Sequence, residues 1–139
     1  MIEPRPSASA LIVDDERDIR ELLVLTLGRM GLRTATAANL AAAREQLANH
    51  HYDVCLTDMR LPDGSGIDLV GEISAHYPDT PVAMITAYGN VETAVDALKA
   101  GAFDFVSKPV DIHVLRRLVH QALDLGKRRR EAPPGLARL

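Results

Sequence analysis

The chain has no tryptophan, two phenylalanines, three tyrosines and a single cysteine among its 139 residues. One cysteine rules out a disulfide framework within the chain, which fits a reducing compartment. Cys55 lies in an apolar run, where a small buried hydrophobe is the expected role. No apolar stretch reaches the roughly 20 residues that a bilayer-spanning helix needs. The opening residues do not read as a signal peptide, because the apolar run from Ala8 is short and ends in acids. Neither sign of charge dominates: the net charge is −3. Nothing global therefore recruits nucleic acid or an anionic membrane. The five histidines, His50, His51, His76, His113 and His120, are scattered, and no His/Cys cluster has the spacing of a zinc site. Gly64 and Gly66 follow an acidic position, not a tight first strand-to-helix turn, so they do not form a dinucleotide fingerprint. These absences leave a cytoplasmic protein with one domain, for which the length supplies a sizeable core.

What is present is alternation. Short apolar runs at 8–13, 32–36, 52–57, 81–85 and 103–106 read as strands. Each is followed by a stretch of helical period. Ile19, Leu22, Leu23, Leu27 and Met30 share one face, and Gly31 stops that helix. Leu40, Ala43 and Leu47 carry the next helix, over 38–49. Ser65 caps a third helix on Ile67, Val70 and Ile73, with Asp68 three positions on. Asn90 is placed to cap a fourth, on Val91, Ala94, Val95 and Leu98, which Gly101 ends. The last starts near Asp111 on Ile112, Leu115, Leu118, Val119 and Ala122. Five rounds of strand then helix predict an α/β, doubly wound, five-stranded parallel sheet covered on both faces. Residues 1–7 are Pro-rich and expected to be flexible, 8–126 form the domain, and 127–139, charged and then Pro-rich, read as the end of a helix running into a linker. The basic run 127–130 has no interleaved aromatic and stands alone, so a solvated linker is favoured over nucleic-acid contact.

The run Val54, Cys55, Leu56, Thr57 stops on a carboxylate, Asp58, and residues 59–66 read as a loop. Other strand tips also end on polar groups: Asp14 and Asp15 after the first, Thr86 after the fourth, Lys108 after the fifth. In a parallel sheet these tips share one edge, where ligands bind. Three carboxylates brought together repel one another, which Lys108 and a hard divalent cation, Mg²⁺ being the natural candidate, would relieve. A carboxylate can act as nucleophile toward phosphorus, provided cations stabilise the equatorial oxygens. Asp58 is the candidate nucleophile. Asp15 and Asp58, with Asp14 mostly through water and the Arg60 backbone carbonyl, are candidate metal ligands. Lys108 and the Thr86 hydroxyl can meet phosphoryl oxygens, and Ala87 is small enough to leave room for them. Taken singly, Asp14 and Asp15 would read as a helix cap, and Thr86 as a turn hydroxyl. The pattern of all the tips carries the reading. Pro109 restricts Lys108 to extended geometry, with a cis bond possible. Tyr88, at the rim, either gates water or is simply exposed.

These residues resemble the receiver domain of two-component response regulators. The matching features are Asp14–Asp15, Asp58 with 61–66 beyond it, Thr86–Ala87 and Lys108–Pro109. The stretches 84–89 and 101–109 look most like the NtrC-like subgroup, and within it regulators of type IV pilus gene expression. The resemblance implies the strand order 2-1-3-4-5 and Mg²⁺ as cofactor. It implies a phosphohistidine of a sensor histidine kinase as phosphoryl donor to Asp58. Thr86 would read the new charge, and Phe105 matches the switch aromatic, often Tyr in the family; a plain core or surface aromatic is the other reading. The subgroup implies an AAA+ output domain acting on sigma-54 polymerase and a DNA-binding domain, neither within these residues, and a homodimer when phosphorylated. The face near Val91, Val95, Phe105 and the last helix is the candidate docking surface. On this reading the domain is no enzyme with an external product, although it takes part in its own phosphorylation and dephosphorylation. The alternative, an aspartyl-phosphate phosphohydrolase, would want a second acid where Arg60 stands. A receiver kept only as a scaffold would have lost Asp58 or Lys108.

Overall fold

The computed structural model describes residues 8–87 and 91–131, with side chains as far as 128. Tyr88 and the expected cap Asn90 fall outside the described residues, as do 1–7 and 132–139. Five parallel strands form the sheet: β1 (Ser9–Val13), β2 (Arg33–Ala37), β3 (Val54–Asp58), β6 (Val82–Thr86) and β7 (Asp104–Ser107). Their order is β2-β1-β3-β6-β7, so β2, which carries the exposed Arg33, lies at an edge as its sequence suggested. The five helices are α1 (Arg17–Arg29), α2 (Leu40–Asn49), α3 (Gly66–His76), α4 (Val91–Ala100) and α5 (Ile112–Glu131). None among the described residues is long and apolar enough to cross a membrane.

Strand alternation sorts the core into two halves. Ala10, Ile12, Val54, Leu56, Ala83, Ile85 and Val106 face α1 and α5, packing on Leu23, Leu27, Leu115, Leu118, Val119 and Ala122. Leu11, Val13, Cys55 and Met84 face the other way, against Leu40, Ala43 and Leu47 of α2, Leu69, Val70 and Ile73 of α3, and Ala97 of α4. Both faces of the central strands are buried, which is why they read as continuous apolar runs. Burial raises the Cys55 thiol to about 12, in keeping with a packing role.

One expectation needs correction. The loop expected over 59–66 contains a small hairpin, β4 (Arg60–Leu61) paired antiparallel with β5 (Gly64–Ser65). Buried Leu61 holds it against the core, and the Ser65 side chain accepts from the Ile67 N–H at 3.1 Å to start α3. On α4, Ala94 and Ala97 are buried, whereas Leu98 and, on the face named as a candidate docking surface, Val91 and Val95 are exposed. Ile112 of α5 is exposed as well. Helix α5 runs to Glu131. Basic side chains favour a helix C-terminus, and Arg128 pairs with Asp124 one turn earlier at 3.1 Å.

Candidate functional site

Register decides which tips meet. Strands β1 and β3 pair with Ile12 beside Leu56 and Val13 beside Thr57. One step further the same register sets Asp14 beside Asp58, both on the side of the sheet that Ile12 and Leu56 occupy. Lys108, two residues beyond Val106, has the parity of that same side. Its N–H donates to the Thr86 carbonyl at 2.8 Å, one bond past the end of β7, and the Lys108–Pro109 peptide is cis. Its ammonium lies 3.3 Å from Asp58 Oδ2, 3.4 Å from Asp14 Oδ2 and 3.4 Å from Glu16 Oε1.

The acids are only partly satisfied. Asp58 Oδ1 accepts the Met59 N–H at 2.8 Å, and Asp14 Oδ1 accepts the Glu16 N–H at 2.8 Å. Asp14 Oδ2 is buried and, beyond the ion-pair contact with Lys108, has no hydrogen-bond partner among the described residues. Burial pushes the Asp14 carboxyl above its ordinary value; the Glu16 N–H opposes this, and the nearby Asp58 charge adds to it. Burial also raises Asp58, with Lys108 and the Met59 N–H opposing and Asp15 adding. Burial alone would lower Lys108, but Asp58 and Asp14 outweigh it and hold the ammonium above its usual value.

Ligand oxygens of Asp14, Glu16 and Asp58 all lie within 4.8 Å of one another. With one ammonium among three carboxylates, and one buried oxygen unbonded, the pocket fits a hard divalent cation with oxygen ligands. Mg²⁺ is such an ion. Asp15 is exposed, and its charge reaches Asp58. Glu16, the third consecutive acid, stands beside this set immediately before α1.

The other candidates lie around this pocket. Thr86 is buried, and its hydroxyl donates to the Val106 carbonyl at a long 3.4 Å. Arg60 and Ala87 are exposed. Phe105 is 36% exposed, its ring at the surface of β7. Sequence reasoning treated Gly66 only as a loop residue. Its N–H donates to the Met59 carbonyl at 2.7 Å, and a Cβ there would overlap the Asp58 carbonyl oxygen. Close approach of α3 to the Asp58 backbone thus requires glycine. Asp63 was likewise read only as part of a loop; its two oxygens accept backbone N–H groups of α2.

The model of the response regulator receiver domain matches residues 10–120. This chain belongs to that family. The receiver is 63% identical over 125 residues to the response regulator protein PilR of Pseudomonas aeruginosa, covering 90% of this chain and 28% of that protein. It is 43% identical over 121 residues to the regulatory protein AtoC of Escherichia coli, covering 87% of this chain and 26% of the relative. The crystal structure of the receiver domain of NtrX from Brucella abortus matches with a TM-score of 0.79 at 36% identity, over 83% of this chain and 98% of that one. The receiver therefore falls among NtrC-like regulators, and the chain spans about a quarter of the length of the curated relatives it matches.

Proposed function

We propose that this receiver accepts a phosphoryl group on Asp58 from a phosphohistidine of a sensor histidine kinase. A carboxylate oxygen of Asp58 forms the bond to phosphorus. The bond from phosphorus to the donor imidazole breaks, and its electron pair stays on that nitrogen. The observation that carries this reading is the Lys108 ammonium, 3.3 Å from Asp58 Oδ2 and in contact with the neighbouring acids. It is positioned to balance charge on the entering oxygens. Asp14, Glu16 and Asp58 would hold Mg²⁺, with the Arg60 carbonyl and Asp15 as further candidates. The bound ion supplies the second cationic clamp on the phosphoryl oxygens. Exposed Arg60 offers no acid for a hydrolase step.

Phosphorylation adds negative charge and strong acceptor oxygens beside Thr86 and Lys108. The weak bond from Thr86 to Val106 is one the hydroxyl can exchange for a phosphoryl oxygen. Inverting a population that is a few per cent active requires about 2–4 kcal/mol of differential interaction. The responding surface is the exposed row Val91, Val95 and Leu98 with Phe105 beside it, with inward rotation of the Phe105 ring as part of the response. Lacking a hydroxyl, that ring forms no hydrogen bond of its own. We further read the domain as controlling a sigma-54-dependent output domain, in the manner of pilus gene regulators, in the cytoplasm and as a homodimer when phosphorylated. The deciding test is mass spectrometry after incubation with acetyl phosphate and Mg²⁺. Wild type will gain one phosphoryl group and Asp58→Ala none; a gain in both, or in neither, overturns the assignment.

A further inference from the structure

The segment between Asp58 and Gly66 leads out of the acidic pocket from the Asp58 strand, and two sets of bonds shape it. Inside the segment, Gly66 N–H donates to the Met59 carbonyl at 2.7 Å, and the hairpin pairs Arg60 with Ser65 and Leu61 with Gly64. The second set leaves the segment altogether. Asp63, in the turn of that hairpin, accepts the Leu40 N–H on Oδ1 at 2.7 Å and the Ala41 N–H on Oδ2 at 3.0 Å. Both oxygens are engaged, in charge-assisted bonds to the N-terminus of α2. Helix α2 already has a cap of its own, because the Asn39 side chain accepts the Ala42 N–H at 2.8 Å. The contact from Asp63 therefore does something that a helix cap alone does not: it ties the hairpin turn to a separate element. Gly64 makes the approach possible. Its φ is +151°, and a Cβ there would lie 2.7 Å from Leu40 Cδ1. The Leu40 N–H, followed by that of Ala41, holds the Asp63 carboxyl below its ordinary value.

We propose that Asp63 is a positioning residue for the acidic pocket, fastening the 59–66 hairpin to α2 so that the Asp58–Arg60 backbone is held ready for a divalent ion. This rests on the reading that the pocket takes Mg²⁺. Outer groups that orient a ligand set commonly change metal affinity by about 10–100-fold when lost.

The test compares two cap removals at one helix end. Mg²⁺ affinity is measured by calorimetry, and by the amide shifts of Met59 and Gly66, for wild type, Asn39→Ala, Asp63→Ala and Asp63→Asn. Both alanine variants will melt earlier, since each removes a bond to the start of α2. Only Asp63→Ala will bind Mg²⁺ at least about tenfold more weakly. Asp63→Asn, which keeps one acceptor oxygen, will fall between, and it carries the comparison if the alanine variant does not fold. Wild-type affinity in both Asp63 variants overturns the inference, as does equal weakening in Asn39→Ala. A wild type that binds no Mg²⁺ overturns the underlying reading of the pocket and this inference with it.

Discussion

Helices α3 and α4 pack on the same face of the sheet, and both look amphipathic in sequence. They are held in different ways. α3 buries Leu69, Val70 and Ile73, and its start is pinned to the Asp58 strand through Gly66. α4 buries only Ala94 and Ala97. Its larger apolar residues face outward, Val91 being 73% exposed. Anchoring scales with apolar area removed from water, so two alanines hold α4 far more weakly than three large side chains hold α3. The contrast suits their places in the chain. The firmly packed helix follows the strand that bears Asp58. The lightly packed one follows the strand that bears Thr86, where the proposed response to charge would begin. Elements that move in switching come from the weakly held end of a structure.

The largest test of this contrast is Ile73→Ala. The side chain is fully buried, so its loss will cost about 2–5 kcal/mol in urea unfolding. A cost near zero would mean that α3 is no better anchored than α4. Next comes the charge at the rim. The raised Asp14 and Asp58 values mean that the folded state holds protons more tightly than the unfolded chain. Their contribution to stability is therefore fully present below their unfolded values and is lost as pH rises through the folded ones. Without divalent ions, the protein will become more stable as pH falls from neutral toward those values. Asp58→Asn will capture part of this at pH 7, on the order of 1 kcal/mol, and will flatten the dependence. If the α3/α4 difference is one of packing and not of charge, hydrogen exchange will still find α4 opening first in that variant. The smallest effect is expected at Val95, which is exposed on α4. Val95→Gln will alter stability by no more than about 0.5 kcal/mol, and a larger loss would show that the outward row is packed after all.

Much of this was legible in the residues alone. Element type and order followed from apolar runs alternating with helical periodicity, and Asp14, Asp58 and Lys108 were identifiable because each ends a strand. Periodicity shows that a helix has an apolar stripe, but not which neighbour covers it: on α4 two alanines face the core and the larger apolar residues face outward. Composition marked 59–66 as a turn-rich segment without showing that Leu61 would anchor a hairpin there.

The sequence by itself determined the five strand-and-helix rounds and the chemistry at each strand tip, because those depend on side-chain identity and spacing along the chain. Only the tertiary structure decided that Glu16 comes within reach of Asp14 and Asp58, and that Asp63 reaches α2. Those outcomes depend on strand register and on the direction in which each side chain leaves the backbone. Both are set by contacts between segments far apart in sequence.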